Sequence, residues 1–359
     1  MKYDMDLLIE LNKEWEAHPF QTAFPVYSYE EQIKSCEMRM KQLASMIPLE
    51  GKRILEIGGG KGYTSYVIAK NHPDAEVTCI DIYTPDEWDK LKLPNLEFMQ
   101  VDLSQSNPFE AEQFDLIISY VAWEHMRHPF EVLQQAARVL KNEGLFYLYA
   151  NLYRGPSASH LYRIIYFPYP HLLFDESIVK EYAIQHGADP GFVSSFYDVN
   201  KLTYAEYKEY FNLLKMEILK EEFTLYQVDE DFYERVSDKL SLYPFFDLER
   251  DYFKVLLKKK EAVEIYHRMI VPRPKVNETN LLSVGTDIHV DNCIKEEGCE
   301  YAWYVITEGE ITDRLWYPQK SVLTYKLKKP GKTVIRSYVR RGNEVKYNDS
   351  YPFTVLANE

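Results

Sequence analysis

Arg53-Ile54-Leu55-Glu56-Ile57-Gly58-Gly59-Gly60-Lys61-Gly62-Tyr63 passes from an apolar β-type run, through a glycine cluster, into a helical stretch. Glycines at 58, 60 and 62 let the chain turn sharply with its backbone bare, so a ligand can approach closely. The helix that follows, 63–70, offers free N–H groups at its start and is stopped by Asn71-His72-Pro73. The same rhythm continues outward. Short apolar runs at 76–80, 96–101, 114–118 and 145–150 read as further strands. Pro129 opens a helix between the last two, and Asn142-Glu143-Gly144 closes it. Thr203-Tyr204-Ala205-Glu206 is a capping box opening another helix, and 216–225 and 252–257 read as a sixth and seventh strand. Strands alternating with helices of this size imply an α/β, doubly wound, seven-stranded and mostly parallel sheet with helices on both faces.

A dinucleotide fingerprint requires a third glycine where this chain has Tyr63, and no Gly-Lys-Ser/Thr follows to make a P-loop. A tight turn without a ligand is the competing reading. The order of residues at the strand ends resembles the class I S-adenosylmethionine-dependent methyltransferases over roughly 50–260. Their signature, an acidic residue and then G-x-G-x-G, corresponds to Glu56, Gly58, Gly60 and Gly62, with Gly59 in the same loop. The resemblance implies S-adenosyl-L-methionine as cofactor. It places Asp81, with its neighbour Ile82, at the ribose hydroxyls. Asp102 and Leu103 fall beside the adenine, and Ser119 and Tyr120 at the sulfonium end. It also implies that helices in 1–50 form a lid. Chemistry supports this placement: a carboxylate at 81 can accept two hydrogen bonds from a vicinal diol and repels a 2′-phosphate, while aromatic faces attract a sulfonium. Lys61 and Tyr63 replace smaller residues common in that loop.

The chain has 359 residues, with 42 Lys+Arg against 56 Asp+Glu, a net charge of −14 that disfavours nucleic acid as a partner. Its 30 Tyr suggest amphipathic walls, although most will fill the core. The start lacks the pattern of a signal peptide, and no stretch is apolar enough for a membrane span, so a cytoplasmic location is expected. Four cysteines, Cys36, Cys79, Cys293 and Cys299, point to reduced thiols, with a Cys293–Cys299 bridge the minor alternative. No metal-ligand cluster is present in the sequence.

Methyl transfer to a hydroxyl calls for alignment and for removal of a proton. His125, just after the fourth strand, is the first candidate base, followed by His160 and His171. These two lie in a Tyr-rich segment, 151–200, inserted as a substrate wall. Glu124 is placed to orient His125 or to touch the methionine amine. Tyr120, Tyr153, Tyr162, Tyr166 and Tyr169 are candidates for a stacking surface. Each of these residues has packing or solvation as its plain alternative.

Four regions result: a helical lid at 1–50, the cofactor-binding domain at 51–262, a linker at 263–275, and a small all-β antiparallel sandwich at 276–359. The last is loosely similar to accessory immunoglobulin-like domains of surface-glycan enzymes. It carries 12 acids and 11 bases, with nine acids in 278–313 and nine bases in 320–346. Cross-strand pairing, or a basic face for a partner, accounts for that pattern, and an exposed strand edge could serve a homodimer. The expected activity is O-methylation of a small molecule or saccharide, in surface-glycan biosynthesis. The alternatives are a natural-product acceptor and a non-catalytic scaffold that uses the sandwich to bind partners.

Overall fold

A computed structural model describes residues 2–21, 28–191, 193, 199–260, 275–276, 282–292, 298–350 and 352–357. The chain forms two compact units, Lys2–Glu230 with Tyr243–Val263, and Asp231–Leu242 with Glu264–Glu359. Residues 231–242, expected within the first domain, thus group with the second unit. Of the linker expected at 263–275 only Lys275 is described, and Cys293, with any bridge it makes, lies outside the described residues.

The first unit is built on a seven-stranded sheet of order β3-β2-β1-β4-β5-β7-β6. Strands β1 (Arg53–Ile57), β2 (Glu76–Asp81), β3 (Leu96–Gln100), β4 (Phe114–Tyr120) and β5 (Leu140–Asn151) run parallel. Strand β7 (Arg250–Lys259) lies between β5 and β6 (Met216–Leu225), antiparallel to both. The sheet is therefore mixed, which corrects the expectation of a mostly parallel one. The cause is local. The Tyr226 N–H donates to the Glu249 carbonyl at 2.8 Å, holding the end of β6 beside the start of β7. The connection holds short helices at Glu230–Arg235, Ser237–Leu240 and Phe245–Glu249, yet it returns to the end of the sheet where β6 stops, so β7 runs back against β6.

Helices cover both faces. Helix α2 (Tyr29–Ala44) is opened by a Ser28/Glu31 capping box. It packs Cys36, Met40 and Leu43 with Val67 and Ile68 of α3 (Tyr63–Asn71) over Ile54, Leu116, Tyr147 and Leu256. On the opposite face, α4 (Pro129–Val139) meets α7 (Tyr204–Leu213) through Phe130 and Tyr210, whose rings lie 5.0 Å apart. The Tyr207 ring lies 4.8 Å from that of Phe253 in β7. Alternation along each strand sends successive side chains to opposite faces. Thus Tyr147, Tyr149, Tyr252 and Lys254 share the α2 side, and Phe146, Leu148 and Phe253 the other. Strand β5 starts at Leu140, directly after α4, so Asn142-Glu143-Gly144 lies within the strand and does not end the helix. The buried Lys259 amine donates to the Leu140 carbonyl at 2.6 Å and holds that early start.

The segment after β5 is tied down by two buried polar residues. Asp251 of β7 accepts from Ser157 Oγ at 2.6 Å and from Asn151 Nδ2 at 3.2 Å. Asn12 of α1 (Met5–Trp15) donates to the Ile164 carbonyl at 2.8 Å and to Tyr182 of α6 (Glu176–Gln185) at 2.7 Å. Its Oδ1 accepts from Tyr166 N at 2.6 Å. A short helix, α5 (Pro170–Leu173), lies between these anchors.

The second unit is rich in β-structure. One sheet has the order β13 (Val322–Lys326), β10 (Asp287–Asp291), β8 (Lys275–Val276). The other runs β12 (Glu310–Gln319), β11 (Cys299–Thr307), β14 (Gly331–Arg341), β16 (Phe353–Leu356), β9 (Leu282–Ser283), with β15 (Glu344–Asp349) also on β14. Ile288, Val290 and Leu323 from the first sheet share a cluster with Trp303, Ile335 and Val355 from the second. Among the described residues the strand pairs are antiparallel except β16 with β9, so the all-antiparallel expectation is corrected there. The segregated charges meet across strands: Arg340 donates to Glu300 at 2.7 Å, and Lys326 pairs with Asp287 at 3.3 Å.

Candidate functional site

The C-terminal ends of β1, β2 and β4 converge on residues 58–62. The N–H groups of Gly58 and Gly59 donate to the Ile80 carbonyl, at 2.9 and 3.1 Å. That of Gly60 donates to Asp81 Oδ2 at 2.8 Å. Gly59 admits no side chain, since a Cβ there would stand 2.2 Å from Cys79 Sγ. Gly62 sits at φ +78, and a Cβ would lie 2.4 Å from Phe98. This bend is read from sequence. The wall behind it is not: Trp88 Nε1 donates to the Gly60 carbonyl at 2.9 Å, and its ring stacks on Phe98 at 5.0 Å. Lys61 pairs with Glu87 at 2.9 Å.

Glu56 points inward. Its Oε2 accepts from the backbone and hydroxyl of Ser65, at 3.0 and 2.5 Å, and burial raises its carboxyl to about 7. Asp81 accepts from Gly60 and, through Oδ1, from Ile82 N at 2.7 Å. Burial raises its pKa, partly offset by those amides. A carboxylate has about four acceptor sites, so Asp81 keeps capacity for a diol. Beside it, Ile82 is 63% exposed, an apolar residue at the surface. Asp102 is exposed and spends Oδ1 on Ser104 N and Oγ, at 2.9 and 2.6 Å, while Leu103 is buried. Ser119 is consumed in the fold, its hydroxyl donating to the Ile57 carbonyl at 2.8 Å.

After β4 the chain passes through Val121 at φ +51, a strained position for a β-branched residue, and into a 3₁₀ turn at Trp123–His125. Glu124 is buried, and among the described residues neither carboxyl oxygen has a hydrogen bond of normal geometry. Burial raises it to about 8, with nearby backbone amides of Glu124 and Asn151 opposing. Its charge bears on Tyr149, Tyr207 and Tyr252. Asn200 holds the turn, donating from N to the Glu124 carbonyl and from Nδ2 to the Trp123 carbonyl, both at 2.7 Å.

The three histidines gather nearby. The rings of His125 and His160 meet edge to face at 5.6 Å. Burial lowers His125, and lowers His160 to about 3 with help from its histidine neighbours. His171 Nε2 lies 2.7 Å from the Tyr153 carbonyl, which can only accept, so Nε2 carries the proton. Its Nδ1 is then an acceptor, buried and without a hydrogen-bond partner among the described residues. Burial brings His171 to about 4. Tyr153 packs on His171 at 5.0 Å, and Lys201 lies 5.3 Å over the Tyr153 ring. Tyr162 is half-buried. Tyr166 is half-buried and faces the α1 anchor through its backbone. Tyr169 is fully buried and donates its hydroxyl to the Leu248 carbonyl at 2.9 Å, so it packs in the interior. Tyr120 is half-buried under the Arg39 guanidinium, 5.5 Å from the ring centre. Arg39, Trp88, Tyr149, Asn200, Tyr252 and Lys254 escaped sequence reading because no local motif marks a residue that only tertiary packing brings to a site.

The cradle, the strand-end carboxylate and the exposed apolar neighbour form a candidate site for a nucleotide-type ligand at the end of an α/β sheet. Residues 55–148 match the model of a family described as a methyltransferase domain, which supports reading this unit as a class I methyltransferase. The match and the cradle support S-adenosyl-L-methionine as the cofactor. The chain is similar to the phthiotriol/phenolphthiotriol dimycocerosates methyltransferase of Mycobacterium leprae, 30% identical over 147 residues, 40% of this chain and 53% of that one. It is also similar to the ubiquinone biosynthesis O-methyltransferase of Xanthomonas campestris, 32% identical over 127 residues, 34% of this chain and 52% of that one. The chain thus spans about half the length of these curated relatives. Among solved structures, the phosphoethanolamine N-methyltransferase 2 of Haemonchus contortus, in complex with S-adenosyl-L-methionine, matches with a TM-score of 0.42 and 15% identity. That match covers 63% of this chain and 53% of the other. No helix of the described residues is long and apolar enough to cross a membrane.

Proposed function

We propose that the chain is an S-adenosylmethionine-dependent O-methyltransferase acting on a hydroxyl of a small molecule or saccharide. The observation that carries this is Asp81, held by the Gly60 and Ile82 amides at the end of β2 with acceptor capacity to spare, beside a loop that admits no added side chain at Gly59. In this reading, residues 58–62 and Glu56 hold the amino-acid end, Asp81 the ribose, and Ile82 with Leu103 the adenine. Helix α2 and the rest of 1–50 act as the lid. Bound S-adenosylmethionine supplies a methyl group on a positive sulfur. The protein aligns the acceptor and removes its proton. For that second task Glu124 replaces the histidines as the leading candidate. A base works best with a pKa near the working pH, and Glu124 stands at about 8 against about 3 and 4 for His160 and His171. In its carboxylate form Glu124 receives the hydroxyl proton on a side-chain oxygen, and His171 Nδ1 accepts a second hydrogen bond from the acceptor.

Relatives named for ubiquinone biosynthesis and for phthiotriol dimycocerosates favour hydroxylated small molecules. The surface-glycan assignment rests on the loose likeness of the C-terminal unit to immunoglobulin-like accessory domains. Equilibrium dialysis with labelled S-adenosylmethionine tests the reading: saturable binding by the wild type, lost in Asp81→Ala, is expected. No saturable binding by the wild type discards it.

A further inference from the structure

The sheet face at Tyr120 and Tyr149 carries cations in a protein whose net charge is −14. Arg39 reaches down from α2 to the ring of Tyr120, 5.5 Å away, and its field is felt at Glu56, Tyr147 and Tyr149. Lys254 enters from β7, its amine 5.3 Å from the ring centre of Tyr149. Neither makes an ion pair among the described residues. The carboxylate opposite Lys254 across the strands, Glu222, is held by Lys220. Between the cations lies a floor of rings: Tyr120 beside Tyr147 at 5.5 Å, and Tyr149 beside Tyr252 at 5.4 Å. Arg39, Tyr120, Tyr149, Tyr252 and Lys254 are all half-buried, so the floor is open to a ligand and shielded enough for charge to count. Burial raises the acids beside it, Glu56 to about 7 and Glu124 to about 8, which lowers but does not abolish their negative charge near neutral pH.

The reversal of β7 places these groups together. Its first residues, Tyr252 and Lys254, stand opposite Asn151 and Tyr149 at the ligand end of β5. A seventh strand running parallel would bring its other end here. We propose that the methyl acceptor carries an oxyanion, a carboxylate or a phosphate, held between Arg39 and Lys254 while its apolar body lies on the Tyr120 and Tyr149 rings. Guanidinium suits the planar carboxylate and ammonium adds a point charge, while the rings supply area with few torsions to freeze. This proposal rests on the methyltransferase reading and names the class of substrate for that site.

The test uses the full chain with saturating S-adenosylhomocysteine and three probes of one scaffold: 4-hydroxyphenylacetate, 4-hydroxyphenyl phosphate and the neutral 4-hydroxyphenylacetamide. Binding is followed by ligand-observed NMR and titration calorimetry. One or both anions are expected to bind at least about tenfold more tightly than the amide. The preferred anion tells carboxylate from phosphate. Arg39→Gln and Lys254→Gln each remove that preference, Arg39→Lys restores part of it, and thermal melting checks that each variant folds. An amide that binds as well as both anions, or anions that bind no better than to the double variant, overturns the proposal. Unchanged anion preference in Lys254→Gln together with loss of S-adenosylhomocysteine binding in Arg39→Gln also overturns it, because Arg39 then serves the cofactor's own carboxylate. Failure of the wild type to bind S-adenosylhomocysteine at all strikes the methyltransferase reading separately.

Discussion

Glu124 is a carboxyl group in the interior with no hydrogen bond of normal geometry on either oxygen among the described residues. Such a group costs stability unless it does something that needs it there. Glu124→Gln keeps the shape and removes the titration, so we expect turnover to fall about 10²- to 10⁴-fold with little change in cofactor affinity. In the wild type kcat should climb with pH through about 8 and level off above it, where the carboxylate predominates. A pH–rate profile that keeps this limb in the variant would remove Glu124 from the reaction. Gly59 makes the opposite demand. Ala there would force its Cβ into Cys79 Sγ, 2.2 Å away, so Gly59→Ala should lose about 1–3 kcal/mol by thermal melting and most of its cofactor binding in dialysis.

At the scale of elements, the inserted segment depends on α1. Asn12 supplies two donated hydrogen bonds and one accepted, at 2.8, 2.7 and 2.6 Å, to Ile164, Tyr182 and Tyr166. Asn12→Ala leaves those groups without this partner and should cost about 1–3 kcal/mol. Hydrogen exchange near 164–166 should quicken more than in β1 or β4, and uniform protection loss would count against a local anchor. Much of the element order was legible: the strand–glycine–helix bend, the Thr203/Glu206 box and Pro129 all act within a few residues, and local signals of that kind fix local structure. The direction of β7 was not, because a strand's sequence reports which faces are buried and says little of which way its neighbour runs. The carboxylates proposed to serve the cofactor, Glu56 and Asp81, stand at strand ends, a placement that spacing made legible. The choice of Glu124 over the histidines could not, because it turns on burial, which reverses the usual order of basicity.

At the scale of the molecule, titration couples the site to stability. Glu56 and Glu124, raised by burial to about 7 and 8 from 4.5, hold protons in the folded state that the unfolded chain has already released. Folding therefore weakens as pH rises from 4.5 through those values, by about 1.4 kcal/mol per pH unit for each group still protonated. The depressed histidines act below their ordinary 6.5, where the unfolded chain gains protons that the folded one refuses. Between pH 6.5 and 8 the acids act without them, so melting temperature should fall across that window. Glu124→Gln should flatten the fall, and an unchanged slope in the variant would contradict the burial assigned to it.

Cys79 lies fully covered beneath Gly59, and burial pushes its thiol well above the ordinary range. A maleimide or disulfide reagent can reach that sulfur only while residues 58–62 stand away from β2. The rate at which the native protein consumes such a reagent at Cys79 is thus a clock for openings of the loop, available without any label or mutation. Whatever molecule settles in the cradle should slow that clock in proportion to its occupancy, which gives a ligand screen that does not require the acceptor to be known.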